Sequence, residues 1–84
     1  MIKYFIFLLF FSITLHAEPI NINTSNATEV ANALNGIGLK KANAIIDFRE
    51  KNGPFSSLNE LTQVKGIGQK TLNKNQHNIN FTNP

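Results

Sequence analysis

Two glycine-rich stretches carry the residue types that could bind an anion. Asn35 to Ala42 reads Asn-Gly-Ile-Gly-Leu-Lys-Lys-Ala, and thirty residues later Lys65 to Leu72 reads Lys-Gly-Ile-Gly-Gln-Lys-Thr-Leu. Glycine tolerates positive φ and lets another molecule approach the backbone closely. A glycine turn that leads into a helix also presents free N–H groups and the positive end of the helix dipole, which suit a phosphate. The repeat therefore predicts two matched phosphate-binding turns, and nucleic acid is the ligand we expect.

Both stretches contribute backbone and side-chain groups to the predicted contact. We expect the N–H groups from Gly36 to Leu39 and from Gly66 to Gln69 to bond phosphate oxygens, while lysines add charge and a threonine adds a hydroxyl. None of these groups reads base edges, so binding should be independent of sequence. The candidate binding residues are Gly36, Ile37, Gly38, Leu39, Lys40, Lys41, Lys65, Gly66, Ile67, Gly68, Gln69, Lys70 and Thr71.

Charge is distributed unevenly along the chain. Residues 18–84 hold seven basic and five acidic residues, which gives a net charge of +2. Five of the seven basic residues flank the glycine turns, and none of the five acidic residues does so. Ordinary charge on helix surfaces would also explain this pattern taken alone. Beside turns that are ready for an anion, however, the pattern favours nucleic acid.

The N-terminal residues have the layout of a secretory signal peptide. Lys3 supplies a positive charge, the 12 residues from Tyr4 to Leu15 are almost wholly apolar, and Ala17 precedes a plausible cleavage site. The apolar run is shorter than the roughly 20 residues that span a bilayer. We therefore expect residues 1–17 to be removed on export to the periplasm, which leaves no stable membrane span. An uncleaved N-terminal membrane anchor is the alternative.

The first repeat unit is predicted to consist of a short helix, the glycine turn and a longer helix. Asn26 and Glu29 form a capping box for a short helix that ends near residue 34. The longer helix should run from about residue 39 to about residue 51, where Asn52-Gly53-Pro54 ends it. Ile37 should point inward between the helices.

The second unit repeats this order. Ser57 and Glu60 form a second capping box, and a weak helix is expected from about Gln69 to Gln76 after the second turn. Phe55, in the linker between the units, should dock in the core. The chain thus divides into a signal peptide (1–17), an extended segment (18–25), a tandem domain (26–79) and a loose tail (80–84).

The two glycine repeats and the segments around them resemble those of a known family. The repeated Gly-Ile-Gly-x-Lys units look like the helix-hairpin-helix DNA-binding motif, and the run from Ile22 to Leu72 resembles the ComEA competence-protein family. Shared segments include Asn21-Ile22-Asn23-Thr24, Gly36-Ile37-Gly38, Ile45-Ile46-Asp47-Phe48-Arg49, Asn52-Gly53-Pro54-Phe55 and Val64-Lys65-Gly66-Ile67-Gly68. The chain departs from the family at Asn35, where proline is frequent, and at Asn75 and His77, where an apolar residue and a proline are usual.

The resemblance implies an all-α, SAM-like domain made of two helix-hairpin-helix units about a pseudo-two-fold axis. It also implies a periplasmic or surface receptor that takes up double-stranded DNA in natural transformation. DNA-uptake pore or pilus components are possible further partners, and self-association on DNA is possible as well. Residues 18–84 have no Tyr or Trp and only three Phe. Few aromatic side chains are therefore available for the bases of a single strand to stack on.

Other functions are weaker interpretations of this sequence. A secreted helix-hairpin-helix subunit that docks on another protein without DNA, similar to an extrinsic photosystem protein, is the main alternative. DNA glycosylases also carry this motif, but they need a much larger body to hold a flipped base, so we expect no catalytic residues and no enzyme. The chain has no cysteine, and we expect no zinc site and no cofactor. The sequence leaves open whether the carbonyl groups of the hairpins hold a monovalent cation.

Overall fold

Helix, hairpin and helix follow one another twice along the chain. The structure is a computed structural model that describes residues 18–82. Its helices are α1 (Ala27–Ala33), α2 (Leu39–Asn52), a 3₁₀ helix (Leu58–Gln63), α3 (Gln69–Asn75) and a short 3₁₀ turn (Gln76–Asn78). The predicted all-α class is confirmed, with one addition: a two-residue parallel strand pair joins β1 (Ile20–Asn21) to β2 (Ile79–Asn80).

The predicted signal peptide, 1–17, lies outside the described residues, as do the last two residues of the chain. Among the helices of residues 18–82, none is both long enough and apolar enough to cross a bilayer.

The first capping box forms as the sequence predicts. The Asn26 side-chain oxygen accepts the Glu29 N–H at 2.8 Å, and the Glu29 carboxylate accepts the Asn26 N–H at 2.8 Å. Two backbone donors that would lack partners at the start of α1 are therefore satisfied. The cap fixes where the helix begins, and Val30 consequently faces the core.

The second capping box was predicted wrongly. Ser57 makes no side-chain cap, because the Glu60 N–H that its hydroxyl would accept is bonded instead to the Ser57 carbonyl at 3.2 Å. That i→i+3 bond belongs to a 3₁₀ helix, which is wound more tightly than an α-helix. The Glu60 carboxylate reaches one residue further back and accepts the Ser56 N–H at 2.8 Å.

The core is built from both units and from the segments that flank them. Phe55 is only 1% exposed and stacks on Phe48 with ring centroids 5.4 Å apart, which confirms its predicted place in the core. Each hairpin buries its central isoleucine, as expected for Ile37. Burying one such side chain stabilises the fold by about 1.5–3 kcal/mol. The buried apolar residues are Ile22, Val30, Leu34, Ile37, Ala42, Ile45, Phe55, Leu61, Val64, Ile67, Leu72 and Ile79.

The strand pair corrects the prediction of a loose tail from residue 80. Ile20 pairs with Ile79 and Asn21 with Asn80, and the Ile22 N–H donates to the Asn80 carbonyl at 3.1 Å. Ile79 is buried, so apolar packing holds the ladder in place. Residues 80–82 are consequently part of the described fold, and the predicted boundary between domain and tail falls too early.

Two polar side chains attach the N-terminal segment to the helical body. The Asn23 side chain accepts the Phe55 N–H at 2.7 Å and donates to the Phe55 carbonyl at 3.0 Å. Arg49 on α2 donates to the carbonyls of Ile22 and Ser25 at 2.9 and 2.6 Å. These bonds satisfy backbone groups of Phe55, Ile22 and Ser25 that have no partner in a helix or strand. They hold the N-terminal segment against the helical body, although its strand is only two residues long.

Substitution of Asn23 by Ala should lower the free energy of unfolding by about 2–4 kcal/mol, because both backbone groups of Phe55 would lose their partner inside the core. The change can be measured by urea denaturation followed by circular dichroism. Asn43→Ala is the matched control: Asn43 is exposed on α2, and its replacement should change stability by less than about 0.5 kcal/mol. Equal effects of the two substitutions would contradict the assigned role of Asn23.

Candidate functional site

The two glycines of each hairpin have different backbone conformations. We call residues 35–38 hairpin 1 and residues 65–68 hairpin 2. The first glycine of each, Gly36 or Gly66, has φ of +81° or +95°, which an L side chain rarely adopts. The second, Gly38 or Gly68, has an extended backbone with φ of −85° or −109°. The first glycine therefore makes the turn, and the second immediately precedes a helix.

The hairpin 2 turn uses one of the N–H groups that the sequence assigned to ligand binding. The Ile67 N–H donates to the Val64 carbonyl at 3.1 Å, which closes the turn around Gly66. The Ile67 side chain is buried in the core. Ile67 therefore has neither its N–H nor its side chain free for a ligand, which corrects the expectation that every N–H from Gly66 to Gln69 is available.

Both helices that follow the hairpins begin without a side-chain cap. Gly38 and Gly68 are the N-cap residues, and a glycine has no side chain with which to bond the first turn. The first intrahelical bonds run from the Ala42 N–H to the Gly38 carbonyl at 2.9 Å and from the Leu72 N–H to the Gly68 carbonyl at 3.1 Å. The preceding N–H groups have no intrahelical partner; they belong to Leu39, Lys40 and Lys41 in α2 and to Gln69, Lys70 and Thr71 in α3. At α1, by contrast, a capping box satisfies one of the equivalent donors, the Glu29 N–H, as well as the N–H of the N-cap residue Asn26.

The lysines near the hairpins have no carboxylate partner. Lys40, Lys65 and Lys70 are exposed, and Lys41 is half-buried. Within residues 18–82, the ion pair joins Arg49 to Glu50 at 3.7 Å, and none of these four lysines lies within 4.0 Å of an acidic oxygen. The positive charge beside both hairpins is therefore uncompensated at contact distance. Thr71 is half-buried, and Leu39 is the most exposed large apolar side chain among the described residues, at 54% exposure.

The structure brings the two hairpins together through their helices. The stem of Lys41, at the start of α2, lies against Gly66 in hairpin 2: its Cγ and Cε atoms are 3.5 Å from the position that a Cβ on Gly66 would occupy. A surface groove of about 430 Å³ adjoins this contact. Its lining residues are Lys40, Lys41, Asn43, Ala44, Asp47, Lys65 and Gly66. Gln69, Lys70 and Thr71 lie outside that groove, at the start of α3.

Asn43 and Asp47 are groove residues that the sequence reasoning did not assign to the site. A signal for them was present, because residues 40, 43, 44 and 47 are spaced as one face of a helix. Within residues 18–82, no group of three or more His, Cys, Asp or Glu side chains is placed to hold a metal ion.

A buried amide joins hairpin 1 to α3. Asn75 has no exposed surface, and its side chain accepts the Asn35 N–H at 2.8 Å while donating to the Asn35 and Thr71 carbonyls at 2.9 Å. Proline at position 35 would have no N–H to donate. The departures from the family pattern at positions 35 and 75 are thus two halves of one hydrogen-bonded unit, and they hold hairpin 1 against the helix that follows hairpin 2.

Comparison with known proteins agrees with this geometry. The model of a family described as the helix-hairpin-helix motif matches residues 16–80. An uncharacterized protein of Haemophilus influenzae is 48% identical over 65 residues, which cover 77% of this chain and 58% of that protein. ComE operon protein 1 of Bacillus subtilis is 42% identical over 60 residues, which cover 71% of this chain and 29% of that protein. The resemblance to the ComEA competence-protein family is thereby confirmed.

A third relative is a much longer protein. The human endonuclease/exonuclease/phosphatase family domain-containing protein 1 is 33% identical over 60 residues, which are 10% of its length. The chain therefore spans from about half to a small fraction of the curated relatives it matches, and the similarity concerns only the region that it shares with them.

Asn35→Pro and Asn75→Leu should be coupled in their effect on stability. Asn35→Pro alone leaves the buried Asn75 oxygen without its donor, which should cost about 1–3 kcal/mol of unfolding free energy. Leu34 already has the extended conformation that a following proline requires. In the Asn75→Leu background the same substitution should cost less, by about 0.5–3 kcal/mol.

The measurement is a double-mutant cycle from urea denaturation. Asn73→Leu serves as the matched control, because Asn73 is exposed on the same helix and should combine additively with Asn35→Pro. Additive behaviour of the Asn35 and Asn75 substitutions would contradict their pairing.

Proposed function

We propose that this chain, which belongs to the helix-hairpin-helix motif family, binds double-stranded DNA through backbone phosphates and without sequence preference. One observation carries the proposal: two helices begin at glycine caps that leave their first N–H groups free, and unpaired lysines stand beside both. Free N–H donors, the helix dipole and lysine charge attract the same ligand, a phosphate.

Both hairpins contribute backbone donors in the same way. The second glycine, Gly38 or Gly68, lets a phosphate oxygen approach the helix start, where the N–H groups of the first turn donate to it. Lys40 and Lys70 extend from those turns, and their ammonium groups release counterions from the duplex when they bind. These contacts position the protein on the duplex and read no base, so the function is binding and involves no bond-breaking step.

Duplex is favoured over single strands because the three aromatic side chains of residues 18–82 lie outside the hairpins. Phe48 and Phe55 stack on each other, and Phe81 is half-buried at the end of the described chain. None of these three rings lies in a hairpin, so the hairpin surface offers no aromatic platform for unpaired bases.

We further infer a role in DNA uptake during natural transformation. The similarity to ComE operon protein 1 and the apolar N-terminal run support an exported receptor that works in the periplasm. Attachment to the membrane through an uncleaved N-terminal segment is the alternative location. Components of an uptake pore or pilus are the protein partners that this role implies, and copies of the chain could also associate along the bound duplex.

Affinity for a fluorescently labelled duplex should fall steeply with salt. With about four phosphates neutralised, the logarithm of the association constant should fall against the logarithm of salt concentration with a slope of roughly −3 to −4. Unrelated duplex sequences should bind alike. A variant with Lys40, Lys41, Lys65 and Lys70 all replaced by Ala should bind barely at all, with circular dichroism confirming that it is folded.

A folded parent protein that ignores duplex even at low salt would overturn the proposal. The alternative, a secreted subunit that docks on another protein without DNA, would then take its place. Sequence-dependent binding would overturn the phosphate mechanism while leaving DNA as the ligand.

Alanine substitutions should separate the two kinds of glycine. Gly36→Ala and Gly66→Ala should each lower the unfolding free energy by about 1–2 kcal/mol, because alanine is strained at positive φ. Gly38→Ala and Gly68→Ala place a Cβ with nothing within 4 Å and should change stability by less than about 1 kcal/mol. Each should nevertheless weaken duplex binding by about tenfold, since the methyl group blocks a charge-assisted hydrogen bond to phosphate.

Parallel urea denaturation and duplex titration of the four variants measure these effects. Loss of binding in Gly36→Ala and Gly66→Ala only, with Gly38→Ala and Gly68→Ala unaffected, would contradict the assignment of the second glycine as the point of phosphate approach.

A further inference from the structure

The contact between Lys41 and hairpin 2 breaks the symmetry of the two units. Thr71 occupies the position in α3 that is equivalent, thirty residues on, to that of Lys41 in α2. Lys41 crosses to hairpin 2, where three of its stem carbons lie 3.5–3.7 Å from the place of a Cβ on Gly66. At Gly36, the equivalent glycine of hairpin 1, nothing lies within 4 Å of that place. A cationic side chain thus covers one hairpin turn, and the other turn is uncovered.

The path of this stem determines where the Lys41 charge is located. The Cε atom carries the ammonium group and is itself in van der Waals range of the Gly66 position, so the charge lies beside hairpin 2. Lys65 is the neighbour of Gly66 in the chain and lines the same groove. The half-buried stem of Lys41 packs on backbone, which restricts its rotamers and keeps the ammonium group at this site.

The groove is lined by small residues and by more basic than acidic residues. Ala44 and Gly66 line it together with three basic residues, Lys40, Lys41 and Lys65, and one acidic residue, Asp47. Asp47 is not within 4.0 Å of any of these lysines. Three positive charges therefore face one negative charge, and the groove has a net attraction for an anion.

We propose that the ammonium group of Lys41 binds ligand at hairpin 2 and not at hairpin 1, the turn that Lys41 follows in the chain, and that Lys41 and Lys65 flank one backbone phosphate in this groove. The inference rests on the proposed binding of duplex DNA. It divides the lysine charges unequally, because Lys41 joins Lys65 beside hairpin 2 although Lys41 follows hairpin 1 in the chain. Asp47 weakens the phosphate contact by repulsion.

The test compares the intact protein with Lys41→Met, Lys41→Arg and Lys74→Met. Methionine keeps an unbranched stem of similar length over Gly66 and removes the charge, whereas arginine keeps the charge. Lys74 is exposed near the end of α3 and provides a control with the same loss of net charge. The measurements are ¹⁵N–¹H correlation spectra of the hairpin glycine amides during titration with a short duplex, and the salt dependence of affinity.

Lys41→Met should reduce the duplex-induced shifts of Gly66 and Gly68, leave those of Gly36 and Gly38 unchanged, and reduce the magnitude of the salt slope by about 1. Lys41→Arg should restore the parent behaviour, and Lys74→Met should alter neither hairpin selectively. Asp47→Asn should raise affinity for the duplex. It supplies an independent test that leaves the Lys41 stem intact.

Selective loss of the Gly36 and Gly38 shifts, or equal loss at both hairpins, would overturn the assignment of Lys41 while leaving DNA binding in place. Unchanged or lower affinity in Asp47→Asn would overturn the repulsion assigned to its carboxylate. If the parent protein shows no duplex-induced shift at any hairpin glycine, the proposed function fails, and the inference fails with it.

Discussion

The position of hairpin 1 depends on a single buried side-chain amide. Asn75 has no solvent contact, and it satisfies both backbone groups of Asn35 together with a carbonyl of its own helix. Buried polar groups without partners are costly, so this arrangement is stable only when all three bonds form together. The turn of the first unit is consequently held by the helix of the second. If both hairpins bind one duplex, this amide sets the relation between them.

The helix starts of this molecule differ in whether a side chain bonds their backbone N–H groups. At α1 a side-chain box closes the helix start, and at the linker Asn23 pairs both groups of Phe55. The helices after the hairpins begin instead at glycines that have no side chain to bond the first turn. The N–H groups at both of these helix starts lie at the surface, next to lysines without acidic partners. A phosphate oxygen can therefore reach them without displacing any protein group.

Features set by residues close together in the sequence could be predicted, whereas contacts between residues far apart in the sequence could not. The α1 cap, the ends of α2 and the burial of Ile37 in hairpin 1 follow from residues close in sequence, and all were predicted. The 3₁₀ geometry after Ser57 was missed because a backbone bond and a side-chain bond compete for the same N–H. The crossing of Lys41 to Gly66 and the pairing of Asn35 with Asn75 join residues 25 and 40 positions apart. No local pattern specifies such contacts, although the unusual residues at 35 and 75 marked where one of them lies.

The parallel ladder between β1 and β2 has a consequence for how the chain acquires its structure. It joins residues 20 and 79, and Asn23 also reaches the carbonyl of Thr82 at 3.4 Å. Contacts between residues so far apart in sequence require loop closure over almost the whole domain, which slows their formation. Ile22, which is fully buried, cannot obtain its complete surroundings before residues 79 and 80 are available. During synthesis the packing around Ile22 therefore remains incomplete until those residues emerge, and the two segments that flank the helices become ordered together.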